Sequence, residues 1–109
     1  MDLINEREQL KKQLTLSIKE LRRTGTALAE AEKEYKIALC KKVLELKDNG
    51  MAATLIQLVV YGYEEIALLR FKRDSASVIY NANQEAINSI KLQLRIIENQ
   101  INKEYGNEE

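Results

Sequence analysis

The sequence has no proline, no histidine and no tryptophan, and the first two absences exclude specific features. Without proline, no residue removes a backbone N–H from a helix or clashes with its preceding turn. Without histidine, the chain lacks the most frequent general base and the most frequent transition-metal ligand. We therefore expect long helices, and we expect neither an enzyme nor a protein that holds a metal or another cofactor.

Cysteine, net charge and long apolar runs are also scarce. The single cysteine, Cys40, cannot form a disulfide within one chain, which favours a reducing compartment. Because it has no histidine partner, we interpret it as a half-buried packing residue and not as a nucleophile. No apolar run approaches the roughly 20 residues that span a membrane. We therefore predict a cytoplasmic protein without membrane association.

The charges balance, with 17 basic and 17 acidic residues. A protein that binds nucleic acid usually carries an excess of lysine and arginine, so a nucleic-acid partner is possible here only through a local basic patch. The balance does not disfavour a protein partner. We therefore favour protein binding over nucleic-acid binding.

The 109 residues suffice for one domain, residues 1–109. Between about 3 and 47, seam residues recur in alternate steps of four and three, the heptad spacing of a helix that packs against another helix. One series is large and the other small: Leu14, Leu21, Leu28, Tyr35, and Ser17, Thr24, Ala31, Ala38. Gly25 costs about 1 kcal/mol relative to alanine in a helix. We favour one helix, bent near Gly25, with a break there as the alternative. Asn49 and Gly50 then form a helix stop.

The middle of the chain, "DNGMAATLIQLVVYG", carries no charge between residues 49 and 63. We predict a short helix at about 51–61 that is apolar nearly all round, and a helix of that kind is buried on most sides. Three roles stay open for this segment. It is core within one chain, an interface between two copies, or a docking site for a foreign protein.

A third helix is predicted at about 64–105, again with heptad spacing. It carries a second apolar face: Leu68, Val78, Ile79, Ala82, Ala86, Leu92, Ile96. This surface exceeds what one partner helix covers. We therefore predict an all-α fold, a long antiparallel, coiled-coil-like helical hairpin with a short apolar middle helix, packed as a homodimeric bundle.

Apolar and charged groups meet at the predicted end of the hairpin. The candidate partner-binding residues are Tyr61, Tyr63, Arg70, Lys72, Arg73. The basic cluster "LLRFKRD" is also the best candidate for contacting phosphates. A helix-turn-helix around Gly50 is disfavoured, because its second helix has no Arg, Lys or Asn to read bases.

Three segments carry a resemblance to a known group of proteins: "MDLINEREQL", "LRFKRD" and "NANQEAINSIKLQLRIIENQINKEYG". The chain resembles small uncharacterised helical proteins encoded by phages and prophages of Gram-positive bacteria. The resemblance implies a cytoplasmic protein of the host cell that binds and modulates or inhibits a host or phage protein, such as a defence nuclease. The alternative is a nucleic-acid-binding accessory of phage replication or recombination, and a third is a coiled-coil spacer.

Overall fold

The computed structural model describes residues 2–106, and this part of the chain is all-α, as the sequence predicts. Its elements are α1 (Leu3–Asp48), α2 (Ala53–Val59), a single 3-10 turn (Val60–Gly62) and α3 (Glu64–Tyr105). The sequence predicts helices at about 3–47, 51–61 and 64–105. Helix α1 is continuous through Gly25, so the alternative of a break at this glycine is wrong.

Local signals at both ends of α1 explain its bounds. Asp2 precedes the helix, and its Oδ1 accepts hydrogen bonds from the backbone N–H groups of Ile4 (3.1 Å) and Asn5 (3.3 Å). These two donors have no partner within the helix, so the carboxylate acts as an N-cap. At the other end Gly50 has φ +88°. The left-handed conformation of this glycine ends the helix, as the sequence predicts.

The hydrogen bonds after α1 form a Schellman motif. The Gly50 N–H donates to the carbonyl of Lys47, and the Met51 N–H donates to the carbonyl of Leu46, both at 3.0 Å. Met51 also packs against the apolar cluster that contains Leu46. This contact between the residues flanking the turn is the usual companion of the motif, and it fixes how the chain leaves α1.

The contacts divide the chain into two compact units, each of which takes one part of α1 and one part of α3. The first unit contains the chain up to Thr24 and from Tyr80 onward. Its buried core is Leu10, Ile90, Ile97, Ile101, with Leu3, Leu14 and Leu94 packed against it. Arg7 of α1 reaches Glu98 of α3 at 3.5 Å. Since the start of α1 therefore meets the end of α3, these segments run antiparallel, as predicted.

The second unit, Gly25–Ile79, contains the rest of α1, all of α2, the 3-10 turn and the start of α3. Its α1 and α3 segments are again antiparallel, because Glu34 pairs with Lys72 (3.0 Å) and Lys42 pairs with Glu65 (2.8 Å). Buried side chains of this unit include Ala31, Tyr35, Leu46, Ile56, Val60, Ile66. The single domain over 1–109 stays a prediction.

Two burial predictions are wrong for the described chain. Helix α2 is not buried on most sides: Ile56 is buried, but Leu55 is exposed and Leu58 is 80% exposed. With seven residues, α2 turns only one face towards the cluster formed with Leu46 and Val60. Cys40 was expected to be half-buried and is exposed.

Candidate functional site

All five predicted site residues lie in the second unit, but the structure brings only two of them into direct contact. The guanidinium carbon of Arg70 lies 5.0 Å from the centre of the Tyr61 ring. This distance is within the range of a cation–π interaction. Both side chains are exposed, so the pair forms part of the accessible surface.

Tyr63 packs against the core of its own unit. Its ring packs against the cluster of Leu46, Ile56 and Val60, and the ammonium group of Lys42 lies 4.8 Å from its centre. The same ammonium donates to Glu65 at 2.8 Å and to Glu45 at 3.3 Å. The hydrogen bond to Glu65 is the main cause that raises the pKa of Lys42 above its ordinary value.

Lys72 and Arg73 are also engaged within the chain. The ammonium of Lys72 donates to Glu34 at 3.0 Å. Arg73 donates to Asp74 at 2.7 Å, and its guanidinium carbon lies 4.7 Å from the centre of the buried Tyr35 ring. The hydrogen bond to Asp74 raises the pKa of Arg73. Two of the three basic residues of the cluster, Lys72 and Arg73, are therefore each paired with a carboxylate, while Arg70 lies over the Tyr61 ring.

An apolar cleft between α1 and α2 is a feature that the sequence did not reveal. It has a volume of about 300 Å³. Its lining is Leu39, Val43, Lys47, Ala53, Ile56, Gln57, Val60, Tyr61. The walls are aliphatic, and the polar groups of Lys47, Gln57 and Tyr61 are few. This combination is typical of a concave binding surface.

The exposed side of α2 adjoins a second, shallower depression of about 410 Å³, lined by Leu58, Val59, Gly62, Tyr63. Leu58 is the most exposed large apolar side chain of the described residues. Single exposed apolar residues are normal, but exposed residues beside apolar depressions mark interaction surfaces.

A second surface runs along the start of α3. Leu68, Val78 and Ile79 belong to the predicted second apolar face, and the structure leaves them 60%, 67% and 55% exposed. Phe71, which lies three residues after Leu68, is 71% exposed and was missed. It lies inside the "LLRFKRD" cluster, between the basic residues Arg70 and Lys72. Its helical spacing from Leu68 is the signal that could have found it.

Residues 2–106 contain no group of three or more His, Cys, Asp or Glu residues arranged to hold a metal ion. None of the helices in this range combines the length and apolar character needed to cross a bilayer.

Comparison with protein-family models, with curated proteins and with solved structures finds no match to the chain. The resemblance to phage and prophage proteins therefore stays a prediction.

Proposed function

We propose that this chain is a non-enzymatic protein-binding module that works as a homodimer and binds a host or phage protein through the surface around its apolar middle helix. The observation that carries the proposal is the apolar cleft between α1 and α2, with the exposed Tyr61–Arg70 pair at its rim. Tyrosine and arginine are enriched among residues that dominate binding energy at protein interfaces. The cleft offers an apolar anchor site beside them.

Leu58 adds an apolar side chain on the other side of α2, since it lines the second depression whereas Ile56 lines the cleft. Burying a leucine fully stabilises a complex by about 1.5–3 kcal/mol, and most of the Leu58 side chain is free to be buried. A partner that covered the cleft and Leu58 together would use one continuous element of this chain. The uncharged middle segment is then explained by partner binding.

The class of target follows from the resemblance described above. Small helical proteins of phages and prophages act in the host cytoplasm, where host defence systems are available targets. As an inhibitor, the chain would block or recruit such a protein by occupying its surface. Chemistry is not required for this role, and the absence of histidine agrees with it.

Nucleic-acid binding receives no comparable support. Lys42, Lys72 and Arg73 each have a carboxylate partner within 3.0 Å, so their positive charge is locally compensated. A protein that binds phosphates through these residues would have to give up those pairs. Gel-shift titration at low and physiological salt tests this alternative, which requires binding that weakens steeply with salt.

Affinity capture with matched variants tests the proposal. Wild type, Leu58→Glu and Leu16→Glu are immobilised and exposed to a lysate of Gram-positive bacteria. Leu16 is an exposed leucine on α1 in the other unit, so its variant controls for added charge. We expect one host protein to bind wild type and Leu16→Glu but not Leu58→Glu. The purified target should then bind with at least about tenfold lower affinity to Leu58→Glu.

Equal binding would contradict the proposal. If the purified target bound all three chains with the same affinity, the α2 surface would not be its docking site. If no protein distinguished wild type from Leu58→Glu, the proposed role of α2 would fail. Circular dichroism of each variant excludes loss of helix as the cause.

A further inference from the structure

We infer that the outer face of α3 in the second unit is the surface through which two copies of this chain associate. This face, called the outer stripe, consists of Leu68, Phe71, Ser75, Val78, Ile79. The inference rests on the proposed function and deepens it, because it assigns the homodimer contact to defined residues. It leaves the cleft between α1 and α2 available to the foreign partner.

The outer stripe faces away from α1. Ile66, which has no exposed surface, and Arg73, which covers the Tyr35 ring, mark the side of α3 that packs on α1. At 3.6 residues per turn, Leu68, Phe71, Ser75 and Val78 lie on roughly the opposite side of the helix. The four large side chains of the stripe are therefore not covered by the rest of the second unit, and their exposures of 55–71% record this.

The exposed area fits what a dimer contact requires. With about 200 Å² for a large side chain, the four apolar residues expose roughly 500 Å². A standard interface buries about 800 Å² on each partner, and homodimer interfaces are about 65% apolar. The outer stripe alone thus supplies roughly the apolar share of one side of a dimer interface.

The residue spacing and the charge favour a second copy as the occupant. Steps of three and four residues from Leu68 to Val78 give the heptad period of a coiled-coil seam. A seam with this period is complementary to another seam of the same period, including its own copy. Lys72 and Asp74 flank the stripe with opposite charges, and the chain has no net charge. Two copies therefore meet without net electrostatic repulsion.

The competing apolar surface on α1 is less suited to this contact. Ile37 and Leu44 are each about half exposed, with the exposed Cys40 between them. Lys33 and Lys47 bound this set at the next heptad positions, so it ends after two turns. The α1 set serves as a control, because it offers a half-exposed apolar residue in the same unit.

Sedimentation equilibrium tests the assignment with Phe71→Glu and its control Ile37→Glu. We expect wild type and Ile37→Glu to have twice the 12.6 kDa mass of one chain. In Phe71→Glu the dissociation constant should rise at least about 30-fold, the effect of losing one interface hot spot. Dissociation of Ile37→Glu with an intact Phe71→Glu dimer overturns the assignment, as does a monomeric wild type.

Disulfide trapping provides a readout that does not depend on a destabilising charge. In a Cys40→Ser background, Ser75→Cys places one thiol at the centre of the outer stripe. The wild-type chain is the control, because its Cys40 thiol is exposed on α1 and lies outside the outer stripe. We expect oxidation to link two chains through Cys40→Ser/Ser75→Cys and not through Cys40 of the wild-type chain. Equal linkage of the two chains, or linkage of the wild type alone, contradicts the inference.

The outcomes also separate this inference from the proposed function. If the outer-stripe variants abolish capture of the host protein while wild type is monomeric, the stripe belongs to the foreign partner and self-association is overturned. If Phe71→Glu stays dimeric and Leu58→Glu still loses the host protein, the dimer assignment fails and the proposed function stands.

Discussion

Replacing Thr24 by valine removes a hydroxyl group from the buried interface between α1 and α3 in the first unit. Thr24 is 4% exposed, and its Oγ1 lies 2.9 Å from Oδ1 of Asn83 and 3.2 Å from the carbonyl oxygen of Leu21. The Asn83 amide nitrogen donates to the carbonyl of Ser17 at 3.1 Å. This carbonyl can only accept, so it fixes the amide orientation and turns Oδ1 towards the Thr24 hydroxyl.

The expected loss in free energy of unfolding comes from Asn83 Oδ1, the acceptor that Thr24→Val leaves without a donor. Valine matches the shape of threonine and has a similar helix propensity, so the change is chiefly the loss of the donor. Asn83 Oδ1 then lacks its partner in a half-buried position beside the buried residue 24, which costs about 1–3 kcal/mol. Asn83→Leu should cost less than Thr24→Val, because the Thr24 hydroxyl keeps the Leu21 carbonyl as an acceptor.

The assay is a urea titration at one fixed protein concentration, in which circular dichroism monitors the loss of helix. Thr26→Val is the matched control, since Thr26 is exposed on the same helix. We expect Thr24→Val to lower the free energy of unfolding by about 1–3 kcal/mol and Thr26→Val to change it by less than about 0.5 kcal/mol. In the double variant Thr24→Val/Asn83→Leu both polar partners are gone, so part of the loss should be recovered.

Equal stability of the two variants would refute this reasoning. If Thr24→Val unfolded at the same urea concentration as Thr26→Val, the Thr24 hydroxyl would not donate a stabilising hydrogen bond to Asn83 Oδ1. Strict additivity in the double variant would likewise show that the two side chains are not coupled.

Three further predictions concern packing, ionisation and backbone conformation. Ile66 has no exposed surface, so Ile66→Ala should lower the free energy of unfolding by about 2–5 kcal/mol in urea, whereas Leu16→Ala at an exposed site should change it little. The hydrogen bond to Glu65 raises the pKa of Lys42 above its ordinary value, so its ion pairs stabilise the fold while the ammonium and its carboxylate partners are both charged, and this contribution is lost as pH rises through the folded pKa. The stability difference between wild type and Lys42→Met should therefore shrink in alkaline urea titrations; a difference that grew with pH would contradict it. Gly50→Ala should lower the free energy of unfolding by about 1–2 kcal/mol, because φ is +88°. Gly62→Ala should cost less, since that glycine has no positive φ and a Cβ there meets no atom within 4 Å.

The helices were predictable from the sequence because their signals are local. Heptad spacing, the absence of proline and the Asn49–Gly50 stop act within one or two turns and gave the positions of the two long helices, and the uncharged apolar segment gave the position of the short one. Thr24 and Asn83 were both at seam positions in the sequence pattern. Their hydrogen bond was not predictable, because it depends on the register between α1 and α3, which brings together two residues 59 positions apart in the chain.

The site was less predictable because it depends on which partners each side chain finds. The sequence indicates no partner for Lys72 or Arg73. In the structure, Glu34 and Tyr35 of α1 contact Lys72 and Arg73 respectively. The cleft beside Tyr61 exists only because α2 packs on one face of α1, a contact that periodicity does not specify. Cys40 shows the same limit, since its exposure depends on the rotation of α1 relative to its neighbours.

We propose that the exposed apolar surface of the second unit is covered by another protein chain, first of all by a second copy. Light scattering of the wild-type chain from micromolar to millimolar concentration measures this association. We expect twice the 12.6 kDa mass of one chain over most of this range, with dissociation only at the lowest concentrations. The mass of a single chain at every concentration would refute self-association through this surface.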